Sequence, residues 1–232
     1  MKSLMKDDNP FGELNGYNSE VFRFVKPQFI KNKNVLDVGC GFGWCELHFS
    51  KLKPKKIIGI DPSDDCLNAA KKFKHPLCSF KKGNALELPF KDNTFDTVMS
   101  WEVLEHIPKN TEGKMFSEIY RVLKPGGNLF LSTQHRNFFA TILDPAWWLV
   151  GHRHYSQKEI KQFAHNARFK ISKLYVKGGM FTIIGFSNMY FSKWILQRPQ
   201  LFKSFFKNQT EKEYARSTGV VNIFLHCTKP KK

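Results

Sequence analysis

The chain has 232 residues, 41% of them apolar and 25% charged, the make-up of a globular domain able to bury a substantial core; its net charge of +17 divides into +4 over residues 1–150 and +13 over 151–232. No run of about 18 apolar residues occurs, so no membrane-spanning helix is expected, and the opening MKSLMKDDNPFGELNG lacks the apolar core of a secretion signal. The five cysteines (Cys40, Cys45, Cys66, Cys78 and Cys227) form no CxxC pair and have no metal-ligand spacing, so they read as reduced thiols of a cytoplasmic protein without a metal.

In chain order, residues 18–30 (NSEVFRFVKPQFI) carry a helical pattern that Pro27 interrupts or ends. NVLDV at 34–38 is a short apolar run typical of a buried strand. The glycine turn GCGFG follows at 39–43, then a helix pattern over 44–52. KIIGID at 56–61 is a second strand, and Pro62 just inside a helix start predicts a helix over 63–73. A third strand falls at 77–81, and a fourth at 95–100 (FDTVMS) after the turn KDN. A helix over 111–123 stops at the turn KPGG (124–127), and NLFLST (128–133) is the fifth strand. This alternation predicts a parallel, doubly wound sheet.

Beyond it the pattern loosens. Residues 134–155 read as an aromatic loop or short helices. Ser156 with Glu159 makes a capping box for a helix to about 167, and 168–177 alternate as a strand. Residues 180–206 are rich in Phe, Ile, Tyr and Trp, with Gly185 weakening a helix there, and TGVVNIFLHCT (218–228) is a final strand.

Two features carry chemistry. In VLDVGCGFG (35–43) the glycines let the backbone turn sharply and approach a ligand at the carboxyl end of a strand, where open α/β sheets bind ligands. A glycine loop alone would serve a dinucleotide as well. Here the pattern is DxGxGxG, however, and Asp37 is awkward for a pyrophosphate but suits a cationic, phosphate-free cofactor. Asp61, 18 residues past Gly43, can accept both hydroxyl protons of a ribose, or alternatively serve the next helix N-terminus.

With IIGIDPS (57–63), GNALELPFKDNTFDTVMSWEVLEHI (83–107) and RVLKPGGNLFLST (121–133), the chain resembles class I S-adenosylmethionine-dependent methyltransferases, in the group related to ubiquinone- and menaquinone-biosynthesis enzymes (methyltransferase type 11). The likeness covers residues 35–133 in order and spacing. It implies a Rossmann-like α/β fold: a seven-stranded, mostly parallel sheet with helices on both faces, a final antiparallel strand and an elaborated C-terminal cap. It also assigns roles. Asp37, Gly39, Cys40 and Gly41 would line the methionine part of the cofactor, Asp61 would hold the ribose and Pro62 would pack near the adenine. Asn84 and Ala85 would meet the adenine edge, and Ser100 and Trp101 would sit beside the sulfonium. Many relatives carry Asp where Asn84 stands, so the amide oxygen would have to face the adenine amine. Tyr17 is similar to an N-terminal tyrosine that closes over the cofactor.

The resemblance implies methyl transfer with S-adenosylhomocysteine as product. The sulfonium already activates the methyl group, so the protein mainly aligns a nucleophile; carbon and oxygen acceptors also need a base. Candidate bases are His106, which alternatively organises its loop, and His152 or His154 in GHRHYS. That segment resembles one bordering the acceptor pocket in relatives, which makes His154 and Tyr155 candidate substrate contacts; His154 alternatively caps or packs. Glu102 and Glu105 either steer a cationic acceptor or organise the loop.

In the last third, Ile183, Ile184, Tyr190, Phe191, Trp194 and Ile195 fall at helical spacing, with Lys193, Arg198, Lys203 and Lys207 beside them. This reads either as an interfacial amphipathic helix on an anionic membrane or as a cap packed over the substrate pocket. Basic, aromatic surface also suits RNA, but no RNA-binding module is recognisable and SWEV stands after the fourth strand instead of a base-methylating motif. The expectation is therefore one domain over 1–232: an N-terminal helical lid (1–30), a cofactor-binding core (31–133), an acceptor-site cap (134–215), and a final strand and tail (216–232). It would transfer methyl groups to a small, apolar or lipid-like acceptor. The alternatives are an RNA methyltransferase and a non-catalytic cofactor-binding protein. The expected partners are that small molecule and an anionic membrane surface met through 180–207, with nucleic acid ranked behind and the protein cytoplasmic or peripheral on the membrane.

Overall fold

The computed structural model describes residues 15–231, so residues 1–14 of the expected lid lie outside the described residues. In chain order its elements are α1 (Gly16–Phe24), β1 (Asn34–Val38), α2 (Trp44–Phe49), β2 (Lys56–Asp61), α3 (Asp64–Ala70), β3 (Cys78–Lys82), β4 (Phe95–Trp101), α4 (Glu112–Val122), β5 (Leu123–Gln134), α5 (Phe138–Ile142), α6 (Pro145–Val150), α7 (Gln157–Asn166), β6 (Lys170–Lys177), α8 (Met180–Trp194), α9 (Lys203–Ala215) and β7 (Asn222–Thr228).

The strands form one seven-stranded sheet in the order β3-β2-β1-β4-β5-β7-β6. The first five are parallel: Asn34 to Val38 pair with Lys56 to Ile60, and Val35 to Asp37 with Thr97 to Met99. β7 runs antiparallel to β5, since Gly126 bonds Lys229 at one end and the His135 N–H meets the Val221 carbonyl at the other. The mostly parallel Rossmann-like sheet is the one expected. β1 and β4 lie buried along nearly their whole length, as strands covered on both faces must.

Three local details differ from expectation. α3 begins at Asp64, with Ser63 as its N-cap accepting the Cys66 N–H at 3.3 Å, so Pro62 precedes the cap. KPGG does not separate α4 from β5 but lies within a strand that starts at once. The pairing jumps from Phe95↔Leu123 to Thr97↔Asn128, and Gly126 at φ +78° absorbs the irregularity. Gly185 does not break α8. A Cβ there would lie 3.3 Å from the Phe206 ring, so the missing side chain lets α9 approach closely.

The chain divides into two compact units. The larger comprises Val25–Thr133, Gln157–Leu174 and 224–231, and holds most of the sheet. Its core includes Phe49, Phe95, Phe116 and Phe130, all fully buried. The smaller comprises 15–24, Gln134–Ser156 and Tyr175–Ile223, and is mainly helical. There α1 packs on α9 through an edge-on Tyr17–Tyr214 pair (6.2 Å) and a bond from the Ser19 hydroxyl to Glu211 (2.8 Å). The buried Glu213 carboxylate closes the start of α8, accepting the N–H groups of Gly179 (3.0 Å), Phe181 (2.8 Å) and Thr182 (2.9 Å) and the Thr182 hydroxyl (2.8 Å).

Candidate functional site

The site forms where β1 and β2 end, in the larger unit. Gly39, Gly41 and Gly43 take positive φ (79°, 51° and 82°), folding the chain back so that the N–H groups of Gly39 and Cys40 reach the Ile60 carbonyl at 2.8 and 2.9 Å. A Cβ on Gly41 would meet nothing within 4 Å, so this stretch of backbone faces open space that a ligand can fill. Asp61 closes the other side. Its Oδ2 accepts the Gly41 N–H (3.0 Å) and its Oδ1 the Ser63 N–H (2.9 Å), so the carboxylate is held in one orientation against the loop.

Asp37 lies beneath the loop, 1% exposed, and its Oδ1 has no hydrogen-bond partner. Burial, reinforced by the charge of Asp61, pushes its carboxyl from 3.8 up to about 8. Glu46, in the first turn of α2, is also fully buried, and neither carboxyl oxygen has a hydrogen-bond partner among the described residues. Burial and Asp37 hold it well above the ordinary carboxylate range. Its Oε1 sits 2.4 Å from where a Gly59 Cβ would be, so only glycine at 59 leaves room for it.

The remaining expected residues of this unit divide by placement. Ala85 and Trp101 are buried; Ser100 is buried too, and its hydroxyl donates to the Val38 carbonyl at 3.2 Å. Pro62 is exposed. Asn84 is also exposed, and its Oδ1 accepts the Leu86 N–H at 2.9 Å, so the amide oxygen points at the chain itself. Glu102 stands at φ +53°, where residues other than glycine are uncommon, and its Oε1 accepts the Ser132 hydroxyl at 2.6 Å. Glu105 is buried and accepts the Thr133 hydroxyl at 2.9 Å, and burial followed by the charge of Glu102 raises its pKa well above normal. Both acids thus tie the loop after β4 to β5, which is the loop-organising reading. His106 is exposed on that loop.

Tyr17, His154 and Tyr155 belong to the smaller unit. Tyr17 is half-buried against Tyr214. Tyr155 is buried, its backbone bridged to Gln134 and Arg136. His154 is buried with Nε2 3.0 Å from Asp144 Oδ2 and Nδ1 3.2 Å from the His135 carbonyl. Each ring nitrogen faces an oxygen, so the ring is held in one orientation. His152 Nδ1 shares Asp144 at 3.4 Å. Sequence reasoning missed both Asp144 and Glu46. An Asp before Pro reads as loop, and Glu46 has only a faint signal, standing between the inward-facing Cys45 and Phe49.

Orphaned Asp37, oriented Asp61 and the open glycine turn fit a ligand carrying a cation and a diol. A pyrophosphate would set its charge against the Asp61 carboxylate. Among the described residues, no three His, Cys, Asp or Glu side chains gather as a metal-binding group.

A glycine turn after β1 facing an acid at the end of β2 defines a Rossmann-like nucleoside-binding protein. Residues 35–127 match the family model described as a methyltransferase domain. The chain is similar to the demethylmenaquinone methyltransferase of Symbiobacterium thermophilum, 42% identical over 114 residues, or 44% of this chain and 43% of that protein. It is also similar to the sterol 24-C-methyltransferase of Saccharomyces cerevisiae, 41% identical over 98 residues, or 40% of this chain and 25% of that protein. The chain thus spans less than half the length of these curated relatives. Among solved structures, an S-adenosylmethionine-dependent methyltransferase from Mesorhizobium loti has the same fold, with a TM-score of 0.66 and 14% identity over 95% of this chain and 100% of that one.

Proposed function

We propose that the protein transfers a methyl group from S-adenosylmethionine to a small, apolar acceptor. The observation that carries the proposal is Asp61, whose two oxygens are each fixed by a backbone N–H beside the open glycine turn. Each oxygen keeps a lone pair for a ribose hydroxyl. Asp37 would take up the positive charge of the methionine part, and Ala85 would pack on the adenine. Asn84 would turn its NH₂ rather than its oxygen to the base, since its oxygen is committed to Leu86. When bound, S-adenosylmethionine supplies a methyl group already activated by its sulfonium. The chain's work is then to hold donor and acceptor in line and to keep water out.

The apolar acceptor is supported by the two sequence relatives, one named for a sterol and the other for demethylmenaquinone. If the acceptor requires a base, His106 is the exposed candidate, and His154, with an oxygen at each ring nitrogen, would serve to position its segment.

Calorimetric titration with S-adenosylhomocysteine tests the cofactor assignment. Asp61→Ala should weaken binding by about 10- to 100-fold, the effect of removing hydrogen bonds to a charged group. Asp61→Asn, which keeps one oxygen acceptor, should fall between. Unchanged affinity in both variants would remove Asp61 from the ribose site.

A further inference from the structure

Every exposed large apolar side chain among the described residues falls between Phe138 and Phe205, in the smaller unit. Scattered exposed apolar residues are ordinary, but this concentration is not. α8 shows it most clearly. Ile183 and Gly185 pack inward, yet Ile184, Phe191 and Ile195, spaced along one helical stripe, are 44%, 51% and 68% exposed. Past its end, Phe202 is 75% exposed and stands at φ +52°, a strained conformation for an aromatic residue.

The charge along α8 and the connection to α9 has one sign. Residues 160–210 contain no Asp or Glu and nine Lys or Arg. Arg198 and Lys203, both exposed, flank the Phe202 tip. No described helix is long and apolar enough to cross a membrane.

We infer that the smaller unit docks on an anionic phospholipid bilayer through the α8 stripe and the connection from α8 to α9. Ile195 and Phe202 enter the acyl boundary while Arg198 and Lys203 meet the phosphates. Charge decides against a second copy of the chain, because two such surfaces would bring like charges together. The aliphatic side chains decide against RNA, because Ile184 and Ile195 offer no face for a base to stack on. The inference goes beyond the methyl-transfer reading and does not depend on it.

Co-sedimentation with vesicles of phosphatidylcholine alone, and of phosphatidylcholine mixed with phosphatidylserine, tests it. The protein should pellet with the mixed vesicles and be released by high salt. The pair Arg198→Gln and Lys203→Gln should lower partitioning about 25-fold, at about five-fold per cation. The pair Ile195→Ser and Phe202→Ser should lose vesicle binding while keeping the circular dichroism spectrum and the calorimetric affinity for S-adenosylhomocysteine, which separates this outcome from failure of the cofactor site. Equal partitioning to both vesicle types, undiminished binding of the serine pair, or concentration-dependent dimers by sedimentation velocity in place of vesicle binding would each overturn the inference.

Discussion

Asp37 and Glu46 place two carboxyl groups in the interior with few or no partners, and a folded protein tolerates that by keeping them protonated. For Asp37 the native value is about 8 against an ordinary 3.8. The native state therefore holds a proton that the unfolded chain has released, and stability without ligand falls as the pH climbs through this interval. Histidines complicate its lower half. Burial lowers His226 from 6.5 to about 4, which adds stability as pH rises to 6.5 and nothing beyond. From 6.5 to 8 the fall belongs to the buried carboxyl groups, Asp37 together with Glu46 and Glu105. Across this window the denaturant midpoint should fall, and Asp37→Asn should remove roughly 1–2 kcal/mol of the fall. An equal pH slope in the variant would mean that Asp37 is ionised in the native protein.

Residues of this kind mark the limit of reading a sequence. Asp37 and Asp61 were legible because a glycine turn and a strand end fix where they stand. Glu46 and Asp144 were not. Glu46 matters only because it fills the space at Gly59, and Asp144 only because His152 and His154 fold back on it.

At the scale of elements, the strands and helices of 34–123 were legible from periodicity and turn residues alone. The departures arise where a distant partner overrides the local signal. KPGG has turn chemistry, yet β4 and the end of β7 draw it into the sheet. Gly185 reads as a break until Phe206 is seen against it. α8 also depends on a distant residue, because three of its N-terminal amides and one hydroxyl end on Glu213. Glu213→Ala should therefore destabilise the protein by about 3 kcal/mol or more, since buried donors lose their acceptor. Hydrogen exchange should show the first turn of α8 losing protection before the sheet does. A change under about 1 kcal/mol would show that water replaces the carboxylate there.

At the scale of the whole molecule, the alternation of strand and helix and the spacing of four motifs made the sheet legible before its geometry was known. The division into two units was not, because each unit is assembled from separated stretches of chain. What sequence did show was a change of character after residue 134, toward cations and aromatics, and the exposed apolar side chains lie in that part. The proposed site for the methyl donor lies in the larger unit, on named side chains, whereas the proposed acceptor rests on relatives. The most direct measurement is incubation of the protein with methyl-labelled S-adenosylmethionine and separated lipid, water-soluble metabolite and RNA extracts. Label should enter the lipid fraction with wild-type protein and drop sharply with Asp61→Ala. Label entering RNA, or no fraction at all, would contradict methyl transfer to a small apolar acceptor.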